Sequence, residues 1–180
     1  LRTRASASRV NEIFETEPSI LPGGAESGLS GAAKVAFEGV SFAYSTGENA
    51  LEGIDLAVQP GQTVGIIGGT GAGKSTLVNL IPRFYDATAG RVLIDGVDVR
   101  EYDTAALRKK IGIVPQKSVL FTGTVRENLC WGKPDASDGE IARALDIAQA
   151  AEFVEKLPQG YDTPILQGGK NLSGGQRQRL

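Results

Sequence analysis

Apolar and polar positions divide the chain into stretches of different period. In "LRTRASASRVNEIFETEPSI", Val10, Ile13 and Phe14 recur at helical spacing, and Pro18 ends the pattern. Residues 21–33, "LPGGAESGLSGAA", carry no period and are rich in Gly, Ser and Ala, which predicts a flexible linker and a globular part beginning near Lys34. From there the period shortens. Val35, Phe37, Val40 and Phe42 alternate roughly, and "IDLAV" (54–58) repeats the pattern before a turn at Pro60-Gly61. "TVGII" (63–67) and "IGIV" (111–114) are apolar throughout, as short strands covered on both faces would be. "RVLIDGVDV" (91–99) predicts two strands around an Asp95-Gly96 hairpin turn. Helical signals come later. In "SDGEIARALDIAQA", Ser137 and Glu140 form a capping box, and Ile141, Ala144, Leu145 and Ala148 share one face. Strands followed by a helical segment predict an α/β fold with a helical insertion, without internal repeats.

Composition changes this picture little. A length of 180 residues suits one ordinary domain with its own core. The formal net charge of −2 offers no bulk basic field, so no nucleic acid is expected as a partner. No window of 18 apolar residues predicts a membrane span. A single cysteine, Cys130, excludes an internal disulfide framework and is expected to act as a small buried hydrophobe. Met is absent and Leu1 comes first, so both ends read as cuts in something longer. Arg2, Arg4 and Arg9 lie among polar residues, not before an apolar run, so no signal peptide is predicted.

The strongest chemical motif is "GGTGAGKST", Gly68 to Thr76, which contains G-x-x-x-x-G-K-S between a predicted strand and the apolar helical run "STLVNLI". A triphosphate needs inward-pointing backbone N–H groups. Glycines at 71 and 73 let the chain approach without Cβ clashes, and the helix start adds partial positive charge. Lys74 supplies a full charge for the β- and γ-phosphates, and Ser75 a hydroxyl for Mg²⁺, a hard ion that keeps several waters. The guanine-reading Asn-Lys-x-Asp pattern of GTPases is missing, since no Asn in the chain precedes a Lys.

The closing stretch, "NLSGGQRQRL", contains "LSGGQ" at Leu172–Gln176, which resembles the signature motif of the ATP-binding cassette (ABC) family. Tyr44 then matches the family's adenine-stacking aromatic, Gly68–Thr76 its Walker A loop, and Gln116 in "IVPQKSVLF" its Q-loop glutamine. "RFYDATAGRVLIDGVDV" and "TVRENL" resemble the exporter branch, and "ASASRVNEIFETEP" resembles the segment that follows a transmembrane domain there. The resemblance covers roughly residues 34–180. It implies an α/β P-loop NTPase core with an N-terminal antiparallel β-subdomain and an α-helical subdomain, incomplete at the C-terminus. Residues 1–33 would be the linker, 34–115 the β-subdomain and P-loop core, and 116–180 the Q-loop and helical subdomain.

The resemblance further implies ATP and Mg²⁺ as ligands, with Lys74 and Gln116 in catalysis and Ser75 and Gln116 on the metal. ATP would contact Tyr44, Gly68, Thr70, Gly71, Ala72, Gly73, Lys74, Ser75, Thr76 and Gln116. Ser173, Gly174, Gly175 and Gln176 would serve, in trans, the nucleotide of a second nucleotide-binding domain packed head to tail. The implied setting is the cytoplasmic face of a membrane, beside a transmembrane domain of the same parent chain, powering solute export. The rivals are a soluble ABC-type ATPase acting on nucleic acid or ribosomes, and a non-hydrolysing nucleotide-binding module.

Two departures qualify the resemblance. The family's Walker B aspartate, catalytic glutamate and switch histidine lie beyond Leu180, so the chain alone is expected to hydrolyse ATP poorly, with an unpaired sheet edge. Leu166 and Gln167 stand where exporters commonly have Gly-Glu, which fits a heterodimeric exporter better than a homodimeric one. Arg177 and Arg179 are expected on a solvated or interface helix face, and Trp131 in packing.

Overall fold

Strand β1 (Val35–Ala43) alternates unevenly for a local reason: its pairing with β2 (Asn49–Val58) shifts register between Phe37 and Val40. The extra residue turns Val40 to the same side as Phe37, so the three-residue step in the sequence marks a bulge. The computed structural model describes residues 2–45 and 47–180, with side chains from Arg9 onward. The chain folds as two compact units, Leu1–Gly112 and Ile113–Leu180.

The first unit holds helix α1 (Arg2–Glu15), β1, β2, helix α2 (Lys74–Leu80), strands β3 (Ala89–Ile94) and β4 (Val97–Asp98), and helix α3 (Thr104–Lys109). The four strands form one antiparallel sheet in the order β2-β1-β3-β4. The predicted hairpin joins β3 to β4, with Asp95 and Gly96 both at positive φ (47° and 77°), as a type I′ turn requires. Phe37, Val40, Phe42, Leu51, Val92 and Ile94 supply the sheet side of the core, and Leu77 and Leu80 of α2 pack into it. Leu80 is fully buried, which contributes about 2 kcal/mol of apolar transfer and fixes α2 against the sheet.

Three expectations need correction here. Residues 63–67 and 111–114 are not strands, and Ile67 and Val114 are 98% and 81% exposed. A strand apolar on both faces is ordered by neighbours on both sides, and among the described residues nothing pairs with either segment. The Gly/Ser/Ala-rich stretch, in turn, is not a free linker. Gly23 N–H donates to Tyr102 O (2.8 Å), Ala25 N–H to Glu101 O (2.9 Å) and Asp103 N–H to Ala25 O (2.8 Å), a short parallel bridge. Gly23 is needed there, because a Cβ would sit 2.0 Å from Glu101 O. The buried Arg83 adds a bond to Leu21 O (2.9 Å) while its fork grips Asp86 (2.7 and 3.0 Å).

The second unit contains the short pair β5 (Gly123–Thr124) and β6 (Pro164–Ile165), with helices α4 (Val125–Leu129), α5 (Asp138–Ile147), α6 (Ala151–Glu155) and α7 (Gly174–Arg179). Three of these helices begin with a capping box: Thr124 with Glu127, Ser137 with Glu140, and Ser173 with Gln176. Each satisfies two backbone donors that a helix start leaves open. Val125, Ile141, Leu145, Val154 and Ile165 form the core. The predicted apolar face of α5 is buried at Ile141 and Leu145, whereas Ala144 is exposed and Ala148 only half-buried. Both alanines line an open cleft of about 420 Å3. Cys130 is half-buried against the same core.

Candidate functional site

The loop between residue 68 and α2 is shaped by two left-handed glycines, Gly71 (φ 82°) and Gly73 (φ 77°). Gly73 caps α2 with no side chain, and its carbonyl accepts from Leu77 N–H (2.8 Å). A Cβ there would lie 2.5 Å from Ala50 O and 2.8 Å from Leu51 Cδ2, so loop and β2 touch through backbone. A Cβ at Gly71 would meet nothing within 4 Å, so the loop is open on that side. Only Ala72 N–H turns back within the loop, to Gly69 O (3.3 Å).

Lys74 folds over this loop, its ammonium donating to Gly68 O (2.7 Å) and Gly69 O (2.6 Å). Those carbonyls fix a full positive charge at the rim. Ser75 is exposed at the first turn of α2, and Thr76 beside it is buried. The Thr76 hydroxyl lies 3.0 Å from the Tyr44 hydroxyl, so a residue just past β1 is tied to the start of α2. Tyr44, Ala50 and residues 71–76 together line a cavity of about 280 Å3. Tyr44 also stands edge-on to Phe42 (4.8 Å between centroids, 89°) and to Tyr85 (5.5 Å, 84°).

The expected site residues of the first unit, Tyr44, Gly71, Ala72, Gly73, Lys74, Ser75 and Thr76, are thus brought to one cavity. Gly68 joins them through Lys74, whereas Thr70 is exposed outside the lining. Sequence reasoning missed the aromatic surround of Phe42 and Tyr85. The only available sign was the adjacent aromatic pair in "RFYD" (83–86). Among the described residues no three His, Cys, Asp or Glu side chains converge to hold a metal by themselves. An exposed serine hydroxyl beside an anion-shaped loop fits an ion such as Mg²⁺, which takes most of its oxygens from water and phosphate.

Gln116 and the 172–176 stretch belong to the second unit. Gln116 is exposed and in no helix or strand. Ser173 Oγ accepts from Gln176 N–H (3.2 Å), and Gln176 Oε1 accepts from Ser173 N–H (2.9 Å). The serine proton and the glutamine NH₂ stay available to donate outward. No atom approaches a would-be Cβ at Gly174 or Gly175. Asn171 fixes the approach, bridging Pro164 O (2.8 Å) and Leu166 N–H (3.0 Å). Arg179 is exposed on α7, as expected of a solvated face, though it also donates to Gln149 O and covers the Phe153 ring; Arg177 is half-buried and donates to Gly169 O and Leu172 O. Both tie α7 down. Trp131 packs as expected, stacked on Phe121 (4.1 Å, 11°), yet it is 64% exposed.

The family model "ABC transporter" matches residues 51–180. The putative multidrug export ATP-binding/permease protein YgaD of Bacillus subtilis (strain 168) is 50% identical over 147 residues, 81% of this chain and 25% of that protein. The uncharacterized ABC transporter ATP-binding protein YfiB of the same organism is 45% identical over 181 residues, 99% of this chain and 31% of that protein. Among solved structures, a bacterial Atm1-family ABC exporter with ATP bound superposes with a TM-score of 0.88 at 36% identity, covering 99% of this chain and 32% of that one. The chain therefore spans about a quarter to a third of the length of its relatives, and it belongs to the ABC transporter family.

Proposed function

We propose that the chain is the ATP-binding portion of an ABC exporter, the nucleotide resting against Tyr44 with its phosphates in the loop from Gly68 to Thr76. One observation carries this reading: an aromatic ring and a glycine-shaped loop share one cavity and are joined by the Tyr44–Thr76 hydrogen bond. The ring offers a face to a base, and the loop offers N–H groups and the Lys74 charge to phosphates. Thr70, exposed on the same loop, would meet the phosphates from its outer turn. Ser75 and Gln116 would hold Mg²⁺, which supplies charge neutralisation at the β- and γ-phosphates.

Ser173, Gly174, Gly175 and Gln176 would meet the nucleotide of a second nucleotide-binding domain in trans. Their capping box supports this role, because it orients the donors while leaving protons free. Residues 1–33 would join the domain that begins at Lys34 to a transmembrane domain of the same parent, on the cytoplasmic face of the membrane. No helix among the described residues is long and apolar enough to cross a membrane. Leu166 and Gln167, in place of Gly-Glu, fit pairing with an unlike domain. The parent would hydrolyse ATP; this chain alone should do so weakly, because no residue in it is assigned to orient the attacking water.

The experiment is calorimetric titration with Mg-ATP, run in parallel on Lys74→Ala. Saturable binding that disappears in the variant is expected. Equal binding by both would mean that nucleotide sits elsewhere.

A further inference from the structure

We propose that Tyr85 is a positioning residue for Tyr44, holding its ring where a base can meet it; this rests on the proposed role of Tyr44 in receiving the base. Tyr44 needs such a brace. It is the first residue after β1 and opens a turn in which its carbonyl accepts from Gly47 N–H (2.9 Å), so no strand pairing fixes it. Its ring is held by the Thr76 hydroxyl (3.0 Å) at one end and by two edge-on aromatics, Phe42 and Tyr85. Phe42 belongs to the buried core and cannot be spared for this task alone. Tyr85 is 41% exposed and lies outside the core, and the aromatic rings it meets are those of Tyr44 and Phe42 (5.5 Å, 51°).

Tyr85 is itself rigidly presented. The corner that carries it begins at Arg83, a buried residue at positive φ (53°), whose fork on Asp86 brackets position 85 from both sides. On the Tyr85 side of Tyr44 lies an open space of about 520 Å3, lined by Ile20, Phe42, Phe84 and Asp86 as well as the two tyrosines. Without the Tyr85 ring, Tyr44 has room to rotate into that space. The rotation breaks the Thr76 hydrogen bond and takes the aromatic face away from the phosphate loop.

The brace acts on the base and not on the phosphates, which gives the test its discrimination. Mg-ATP and magnesium triphosphate, which has no base, are titrated separately into the 180-residue chain and into Tyr44→Ala, Tyr85→Ala, Tyr85→Leu and Tyr85→Phe. An edge-on aromatic contact is worth about a two- to tenfold change in an equilibrium. Tyr85→Ala and Tyr85→Leu should weaken Mg-ATP by about that factor and leave triphosphate unchanged, while Tyr85→Phe keeps both affinities. Loss of both ligands to the same extent, or of neither, overturns the proposal; Tyr85→Leu, which retains apolar bulk, decides between these outcomes if Tyr85→Ala fails to fold. If Tyr44→Ala itself does not separate the two ligands, or if the unsubstituted chain binds neither, the proposed role of Tyr44 falls instead.

Discussion

Replacing Gly73 by alanine tests the contact between the loop and the sheet. The position demands a left-handed backbone (φ 77°), which costs an alanine about 1–2 kcal/mol. The new Cβ would also lie 2.5 Å from Ala50 O and 2.8 Å from Leu51 Cδ2. Ala50 O is backbone of a paired strand and Leu51 is a core residue, so neither yields freely, and the overlap adds about 1–3 kcal/mol. The total is about 2–5 kcal/mol. Gly71→Ala is the matched control, because it has the same backbone demand (φ 82°) with nothing within 4 Å. At about 2–4 °C per kcal/mol for a chain of this size, Gly71→Ala should lower the melting temperature by about 2–8 °C and Gly73→Ala by clearly more. Differential scanning calorimetry of the two variants beside the parent decides it. Equal melting of the two would refute the claim that the loop is seated on β2 through Gly73.

Other perturbations have equally definite outcomes. Ser173→Ala removes a helix cap and should cost about 1 kcal/mol, read as faster amide exchange at Gln176 and Arg177, with Ser173→Thr restoring protection. Arg83→Ala should destabilise the first unit by about 1–3 kcal/mol in chemical denaturation and expose the Gly23 and Ala25 amides to exchange, since the Leu21 tie is lost. Burial pushes the Asp98 carboxyl up, but hydrogen bonds from the Arg100 side chain and backbone more than offset this and hold it below the ordinary range. A depressed carboxylate stabilises the fold above its unfolded value of about 3.9, and that stability is lost as pH falls through the lower folded value. Thermal melts taken down from pH 5 should therefore drop more steeply in the parent than in Asp98→Asn.

The elements readable from sequence were those whose determinants lie close together in the chain. The Asp95-Gly96 hairpin and the Ser137–Glu140 capping box each depend on neighbours within a few residues, whereas the bulge that makes the β1 alternation uneven is set by its pairing with β2. The phosphate-loop motif, like the hairpin and the capping box, is local in sequence. What failed depends on distant partners. "TVGII" has a strand's composition, but pairing decides whether it becomes one, and none of the described residues pairs with it. The stretch 21–33 has a linker's composition, yet carbonyls at Glu101 and Tyr102 and the guanidinium of Arg83 hold it in place. The brace around Tyr44 was hidden likewise, because Tyr85 lies 41 positions away and only folding sets the two rings edge to edge.

The central claim is that one cavity, lined by Tyr44 and the loop from Gly71 to Thr76, receives ATP. Residue-resolved amide hydrogen exchange, with and without Mg-ATP, tests it most directly. The account predicts added protection at the amides of Gly71 through Thr76 on binding, absent in Lys74→Ala. Protection confined to other segments, or binding without any change at these amides, would contradict it.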